Sequence, residues 1–276
     1  MTHEPTAYEL SEAALRDADL FRGVPLTNPK VGTWGGVPGP LLLRSDPNRI
    51  PDPDAFEAVA LAGVATPLPA LCPVAEPSDR SYSPEEREAV LAWAGGVREW
   101  RAKSHAAELA RSLLLVGEPG GGKSRAAVAR AQVWSLASGV AASSRWGSGD
   151  MRIFFVRGCD LASAAVAEAR GEPHGLGSGI REVSSLGHMR LLVIDDFDAA
   201  NWSPASLTAL FEILDTRLST GAPTIITANG NAAGWVERVL ARHPHEGEMA
   251  AKILRRIRDL CGAPVRFNPN AKEKGE

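Results

Sequence analysis

From Ser112 onward the chain alternates short apolar runs with longer segments of helical spacing. The runs are Ser112 to Val116, Arg152 to Val156, Arg190 to Ile194 and Pro223 to Ala228. Each has strand length, and near-continuous apolar character suits strands buried on both faces. Between them, Arg125 to Ala137 is Ala-rich with helical spacing. Leu207, Leu210, Phe211, Leu214 and Leu218 recur at helical intervals between a start signal, Asn201-Trp202-Ser203-Pro204, and a stop at Gly221. That stripe is core packing, and Arg217 near its end complements the helix dipole. In a last helix, Met249 to Leu260, the apolar face is Met249, Ile253, Ile257 and Leu260, with Lys252, Arg255 and Arg256 on another face. Strands separated by helices predict a parallel, three-layer α/β sheet. No internal repeat accompanies them.

The first 80 residues follow no such pattern. Most of the chain's 20 prolines lie there, including Pro38, Pro40, Pro47, Pro51, Pro53, Pro67, Pro69, Pro73 and Pro77. Proline at that density breaks helices and cannot feed a central sheet. Short helices are predicted from Ser11 to Leu20 and from Pro53 to Ala62, the rest being loop or semi-rigid linker. Two readings stand open for this segment: a poorly ordered tail, or a docking arm that orders on a partner protein. Ser83-Pro84-Glu85-Glu86 then starts a helix that runs to about Trp100. The expected organisation is a Pro-rich segment at 1–80, an α/β domain at 81–268 and a polar tail at 269–276.

Candidate chemistry enters at the end of the first apolar run. Gly117-Glu118-Pro119-Gly120-Gly121-Gly122-Lys123-Ser124 fits G-x-x-x-x-G-K-[ST], with a strand before it and a helix after it. Its glycines let successive backbone N–H groups turn inward around phosphate oxygens. Lys123 supplies a point charge for the β- and γ-phosphates, and the Ser124 hydroxyl is a Mg²⁺ ligand candidate. Leu191 to Ile194 leads into Asp195 and Asp196. A parallel strand delivers such carboxylates to the ligand crevice, where Asp195 can hold Mg²⁺ and Asp196 can orient an attacking water. Asn229, after the run ending at Ala228, would emerge on the same edge and bond that water or the γ-phosphate. An Asn before Gly also suits a plain turn. For the basic face of the last helix, a solvated surface and a cation reaching a neighbouring subunit's ATP are both open readings.

The 276 residues carry a net charge of −3, so no global electrostatic footprint points to nucleic acid. Cys72, Cys159 and Cys261 are scattered without metal spacing, as free thiols in a reducing compartment would be. The start MTHEPTAYEL has no signal-peptide core, and no stretch of about 18 apolar residues predicts a membrane span. A cytoplasmic location without membrane contact is expected.

GEPGGGKS, LLVIDDFD, LFEILDTRL, PTIITANGN and AAKILRRIRDL, in that order and spacing, resemble the DnaC/IstB branch of AAA+ ATPases. The resemblance spans roughly Ser83 to Asn268. That branch contains helicase loaders and transposition helper ATPases. The resemblance implies ATP and Mg²⁺ bound by a Walker A element, Gly117 to Ser124 with Arg125 beside it. It implies a Walker B pair in Asp195 and Asp196, and a polar sensor in Asn229. The family places two arginines four apart in its late helix, where this chain has Lys252 and Arg256. Lysine lacks arginine's planar bidentate fork, which leaves Arg255 or Arg256 for the trans-acting role in an ATP-dependent homo-oligomer. Loaders often end with a Ser-Tyr-Arg-like element; here Val265-Arg266-Phe267-Asn268 offers only Arg266 as a second sensor. The metal-binding cysteines of some loaders are absent from the N-terminal segment.

In the family, single-stranded DNA binds inside the oligomer. The matching region here is Arg157 to Arg190, with Arg157, Arg170, Arg181, Arg190, His174 and His188. It holds no aromatic platform for stacking, Trp146 being the nearest, and a Gly-rich surface loop at 171–179 is an equal reading. The resulting expectation is a slow, partner- or DNA-stimulated ATPase that loads a replicative helicase during DNA replication. A transposase is the alternative partner. A nucleotide-gated module with little turnover is a third reading. A small-molecule kinase is disfavoured, because no lid signature is present and the second acid with Asn229 favours water as acceptor.

Overall fold

Ordinary backbone sterics make the unbroken apolar runs into strands, and all four of them pair. The computed structural model describes residues 52–60, 111–138, 153–176, 180, 182–230 and 232–268. The predicted helices at Ser11 to Leu20 and Ser83 to Trp100 lie outside the described residues, as do Trp146, Arg181 and the tail. The strands are β1 (Leu113–Gly117), β2 (Ile153–Arg157), β3 (Leu191–Asp195), β4 (Thr224–Ala228) and a short β5 (Val265–Phe267). They form one parallel sheet in the order β2-β3-β4-β1-β5. β3 and β4 lie at its centre and are buried at every position. Val116 is level with Ala228, and Ile194 with Ile226. That register sends the segments after Gly117, Asp195 and Ala228 out of one edge of the sheet.

Six α-helices are described: α1 (Pro53–Ala60), α2 (Lys123–Ser138), α3 (Gly158–Ala169), α4 (Pro204–Thr220), α5 (Ala232–Arg242) and α6 (Gly247–Cys261). α4 starts and stops as its sequence predicts. Ser203 and Ser206 cap each other's backbone, Pro204 takes the first turn, and Gly221 closes the helix in the left-handed region at φ 66°. Leu207, Leu210, Ile213 and Leu214 then join the core with α3, α6 and the 3₁₀ turn Val183–His188. In α6 the buried positions are Ala250, Ile253, Ile257 and Cys261.

Arg217 departs from its sequence reading. Its side chain is fully buried rather than a dipole complement at the helix end. The guanidinium donates to Thr224 Oγ1 at 2.6 Å, to the carbonyls of Leu186, Gly187 and Met189 at 3.2, 3.3 and 2.8 Å, and to that of Pro223. Burial pushes it down to about 9, which still leaves it charged at neutral pH. One planar cation thus ties α4 to β4 and to the 3₁₀ turn, satisfying four carbonyls that would otherwise be stranded. A Cβ on Gly187 would stand 2.9 Å from Thr216, so the turn approaches α4 as closely as it does because residue 187 has no side chain.

The region offered for single-stranded DNA is largely folded. Residues 158–169 are α3, and Val183 and Leu186 are fully buried. Arg157 is held by Asp160 through two bonds, at 2.7 and 2.9 Å. Of the proposed Gly-rich loop, residues 171–176 are described.

α1 comes from the Pro-rich segment and packs against α2 and β5. Phe56, Val59 and Ala60 are buried there. Asp52 caps the helix through Ala55 N at 3.1 Å, and its second oxygen accepts Asn268 N at 2.8 Å, clasping the residue after β5.

Candidate nucleotide site

β1 ends in Gly117, whose imaginary Cβ would lie 2.2 Å from the Phe267 carbonyl of β5. Only glycine permits that approach. The loop then closes through Gly121 N to Glu118 O at 3.3 Å, and Gly122, at φ 97°, turns the chain into α2. Lys123 and Ser124 therefore sit in the first turn of α2, at a helix N-terminus whose unpaired N–H groups suit an anion.

Lys123 is buried, and its ammonium donates to Glu118 O and to Asn229 Oδ1, both at 2.9 Å. Burial lowers its pKa, opposed by Asp196, Asp195 and Asp198 in that order. The Asn229 amide is thereby oriented from both ends. Its oxygen takes the lysine, and its Nδ2 donates to Asp196 Oδ1 at 3.1 Å. Lys123, Asn229 and Asp196, far apart in sequence, form one hydrogen-bonded chain.

Asp195 is buried at 3 % exposure, and desolvation raises its pKa, countered by hydrogen bonds from Thr227 and Ser124. Thr227 Oγ1 donates to Asp195 Oδ1 at 2.7 Å and accepts the Asp196 N–H at 2.9 Å. Asp196 is the sole non-glycine at positive φ among the described residues, at 48°. Such a conformation costs of order 1–3 kcal/mol and persists where neighbours enforce it. Here the Thr227 hydroxyl and the Asn229 amide do so. After it, Phe197 packs its ring on Trp202 and Trp235 at 5.5 and 4.9 Å, and its carbonyl accepts Trp202 Nε1 at 3.0 Å.

A hydroxyl and a carboxylate in mutual contact, both hard oxygen donors beside a phosphate loop, fit a Mg²⁺ ion that takes its other ligands from phosphates and water. Ser124 and Asp195 are the residues that would hold it. Bound there, the ion would neutralise charge on the β- and γ-phosphate oxygens.

The sheet thus brings Lys123, Ser124, Asp195, Asp196 and Asn229 together. The basic face of α6 makes other contacts. Lys252 pairs with Glu248 at 2.7 Å, one turn away on its own helix. Arg256 pairs with Asp215 of α4 at 2.7 Å and lies over the Phe211 ring at 5.5 Å. Arg255 is exposed, and Arg266 is exposed on β5. Thr227, Asp198 and Arg238 are site neighbours that the sequence reading did not assign. A Thr inside an otherwise apolar, fully buried strand is a visible signal for the first; the other two depend on contacts more than 30 residues away.

The family model described as IstB-like ATP binding protein matches residues 96–265. No curated protein matches the chain. A crystal structure of DnaI is similar at 20% identity and a TM-score of 0.42, covering 68% of this chain and 87% of that one. A crystal structure of the DnaC helicase loader is similar at 16% identity and a TM-score of 0.40, covering 68% of this chain and 93% of that one. Likeness at that distance assigns no residue a role.

Proposed function

We propose, for a chain that belongs to the IstB-like ATP-binding protein family, that the site hydrolyses MgATP and that the resulting switch serves a protein partner acting on DNA. The observation that carries the ATPase reading is the Lys123–Asn229–Asp196 chain set beside the Ser124–Asp195 pair. Phosphate oxygens compete for the same Lys123 ammonium that now bonds Glu118 and Asn229. Asp196 and the Asn229 amide lie side by side, as groups that orient a water toward the γ-phosphorus must. The water's oxygen bonds to phosphorus while its proton passes to Asp196 and on to solvent, the bond to the β,γ-bridging oxygen breaks, and ADP leaves with that electron pair. Asp196 beside the Asn229 amide suits water as the acceptor, which disfavours the kinase.

The finer reading is a helicase loader, supported by the order of motifs from the phosphate loop to the late basic helix. The same order supports a transposition helper, and the two differ in partner alone. In an assembly of several copies, Arg255 is the α6 cation placed to reach a neighbour's ATP, since among the described residues Lys252, Arg256 and Arg258 each pair with a carboxylate of the same chain. Two measurements test these statements. Lys123→Ala should weaken ATP binding by at least about a hundredfold, read by titration with a fluorescent analogue; unchanged affinity would remove the phosphate loop from the site. Asp196→Asn, purified from its native cell with ATP, should retain either a replicative helicase or a transposase. A helicase selects the loader, and a transposase selects the helper. Neither protein would contradict the partner reading.

A further inference from the structure

Asp198 has no part in the roles given so far. It lies in the short 3₁₀ turn Phe197–Ala199 after Asp196 and is 8 % exposed. Its two carboxylate oxygens go to two successive backbone N–H groups. Oδ1 accepts Asn229 N at 2.8 Å, and Oδ2 accepts Gly230 N at 2.8 Å. A Cβ on Gly230 would stand 3.1 Å from Oδ2. From α5, Arg238 Nη2 donates to the Asp198 carbonyl at 3.1 Å and reaches Oδ2 at 3.4 Å.

β4 ends at Ala228, so the sheet ladder no longer fixes the chain at Asn229. The Asp198 carboxylate supplies that constraint instead. Charge-assisted bonds from two adjacent N–H groups define both the position and the tilt of the turn. The Asn229 side chain then has one path, between Lys123 and Asp196. Displacing a water-orienting group by about 1 Å costs rate far more than binding.

We propose that Asp198 is the positioning residue for Asn229 in ATP hydrolysis, with Arg238 holding its carboxylate. The proposal rests on the ATPase reading above. It differs from a purely structural role in one respect: the effect of Asp198 on rate must pass through the Asn229 side chain.

The test uses the full-length chain, with single-turnover phosphate release from MgATP and the affinity of a fluorescent ATP analogue as readouts. Asp198→Asn is made with Asn229 intact and in an Asn229→Ala background. With Asn229 intact, the rate should fall about tenfold while analogue affinity stays within about twofold. In the Asn229→Ala background the same change should cost less than about twofold. No rate loss, or an equal loss in both backgrounds, overturns the proposal. Arg238→Met, at a side chain 51 % exposed, should show the same background dependence with a smaller loss. It decides the matter by the same criteria if Asp198→Asn fails to fold. Absent phosphate release by the wild-type chain would overturn the ATPase reading itself. Wild-type turnover with unaffected variants would overturn only the positioning role.

Discussion

Thr227 has one hydroxyl and serves two acids with it. It accepts the Asp196 N–H and donates to Asp195, which fixes both the metal-facing carboxylate and the left-handed backbone beside it. Thr227→Val keeps the shape and removes both bonds. Stranding a buried carboxylate oxygen costs about 1–3 kcal/mol, so chemical denaturation should register a loss of that size. Phosphate release should fall along with it, because Asp196 loses what holds its backbone. Cys261 shows the opposite chemistry, a titratable group kept out of use. Burial pushes its thiol up to about 12 from an ordinary 9.0. Between those values the unfolded chain has released the proton and the folded one has not, so stability should fall as pH climbs through that window. At pH 8 native-state alkylation followed by peptide mapping should leave Cys261 unmodified while exposed Cys159 reacts; rapid labelling of Cys261 would contradict its burial. Asp195 and Asn229 could be picked from sequence because each stands at the end of an apolar run, and Lys123 because it follows the glycines of the G-x-x-x-x-G-K-[ST] motif. Arg217 could not be placed, because its position in the last turn of α4 says nothing of which way the side chain runs.

The helices differ in how far their sequences disclose their surroundings. α4 carries its own start and stop, and both hold; of its stripe, Leu207, Leu210 and Leu214 are buried, whereas Phe211 and Leu218 are half-buried and Ile213 takes a core place instead. α2 is buried on nearly every face, from Ala126 through Arg130 to Val133 and Trp134. A helix buried all round needs covering on two sides. The sheet covers one, and Phe56, Val59 and Ala60 of α1 cover another. That need was present in the Ala-rich spacing, but not the identity of the cover, which comes from a proline-rich stretch more than 60 residues earlier. Phe56→Ala should therefore destabilise the domain by about 3 kcal/mol, measured by denaturant unfolding. A change below about 0.5 kcal/mol would mean that α1 does not seal α2.

At the scale of the molecule, a parallel sheet gathers residues that are distant in sequence at one edge. The alternation of runs and helices made the three-layer class legible. The strand order was not, since β1 sits between β4 and β5 through packing that no local pattern encodes. The same holds for Asp198 and Arg238, whose contacts exist only once β3, β4 and α5 are assembled. Among the described residues no helix is long and apolar enough to cross a membrane. What the assembled edge presents is a phosphate loop, a hydroxyl–carboxylate pair and an amide bridging a lysine and an aspartate. The most direct test of its function is phosphate release from MgATP by the full-length chain, compared with Asp196→Asn at matched nucleotide occupancy. The wild-type chain should release phosphate, and Asp196→Asn should bind ATP equally well while turning over at least about a hundredfold more slowly. Bound ATP without release by the wild-type chain, or wild-type turnover in the variant, would contradict a hydrolytic site built on Asp196.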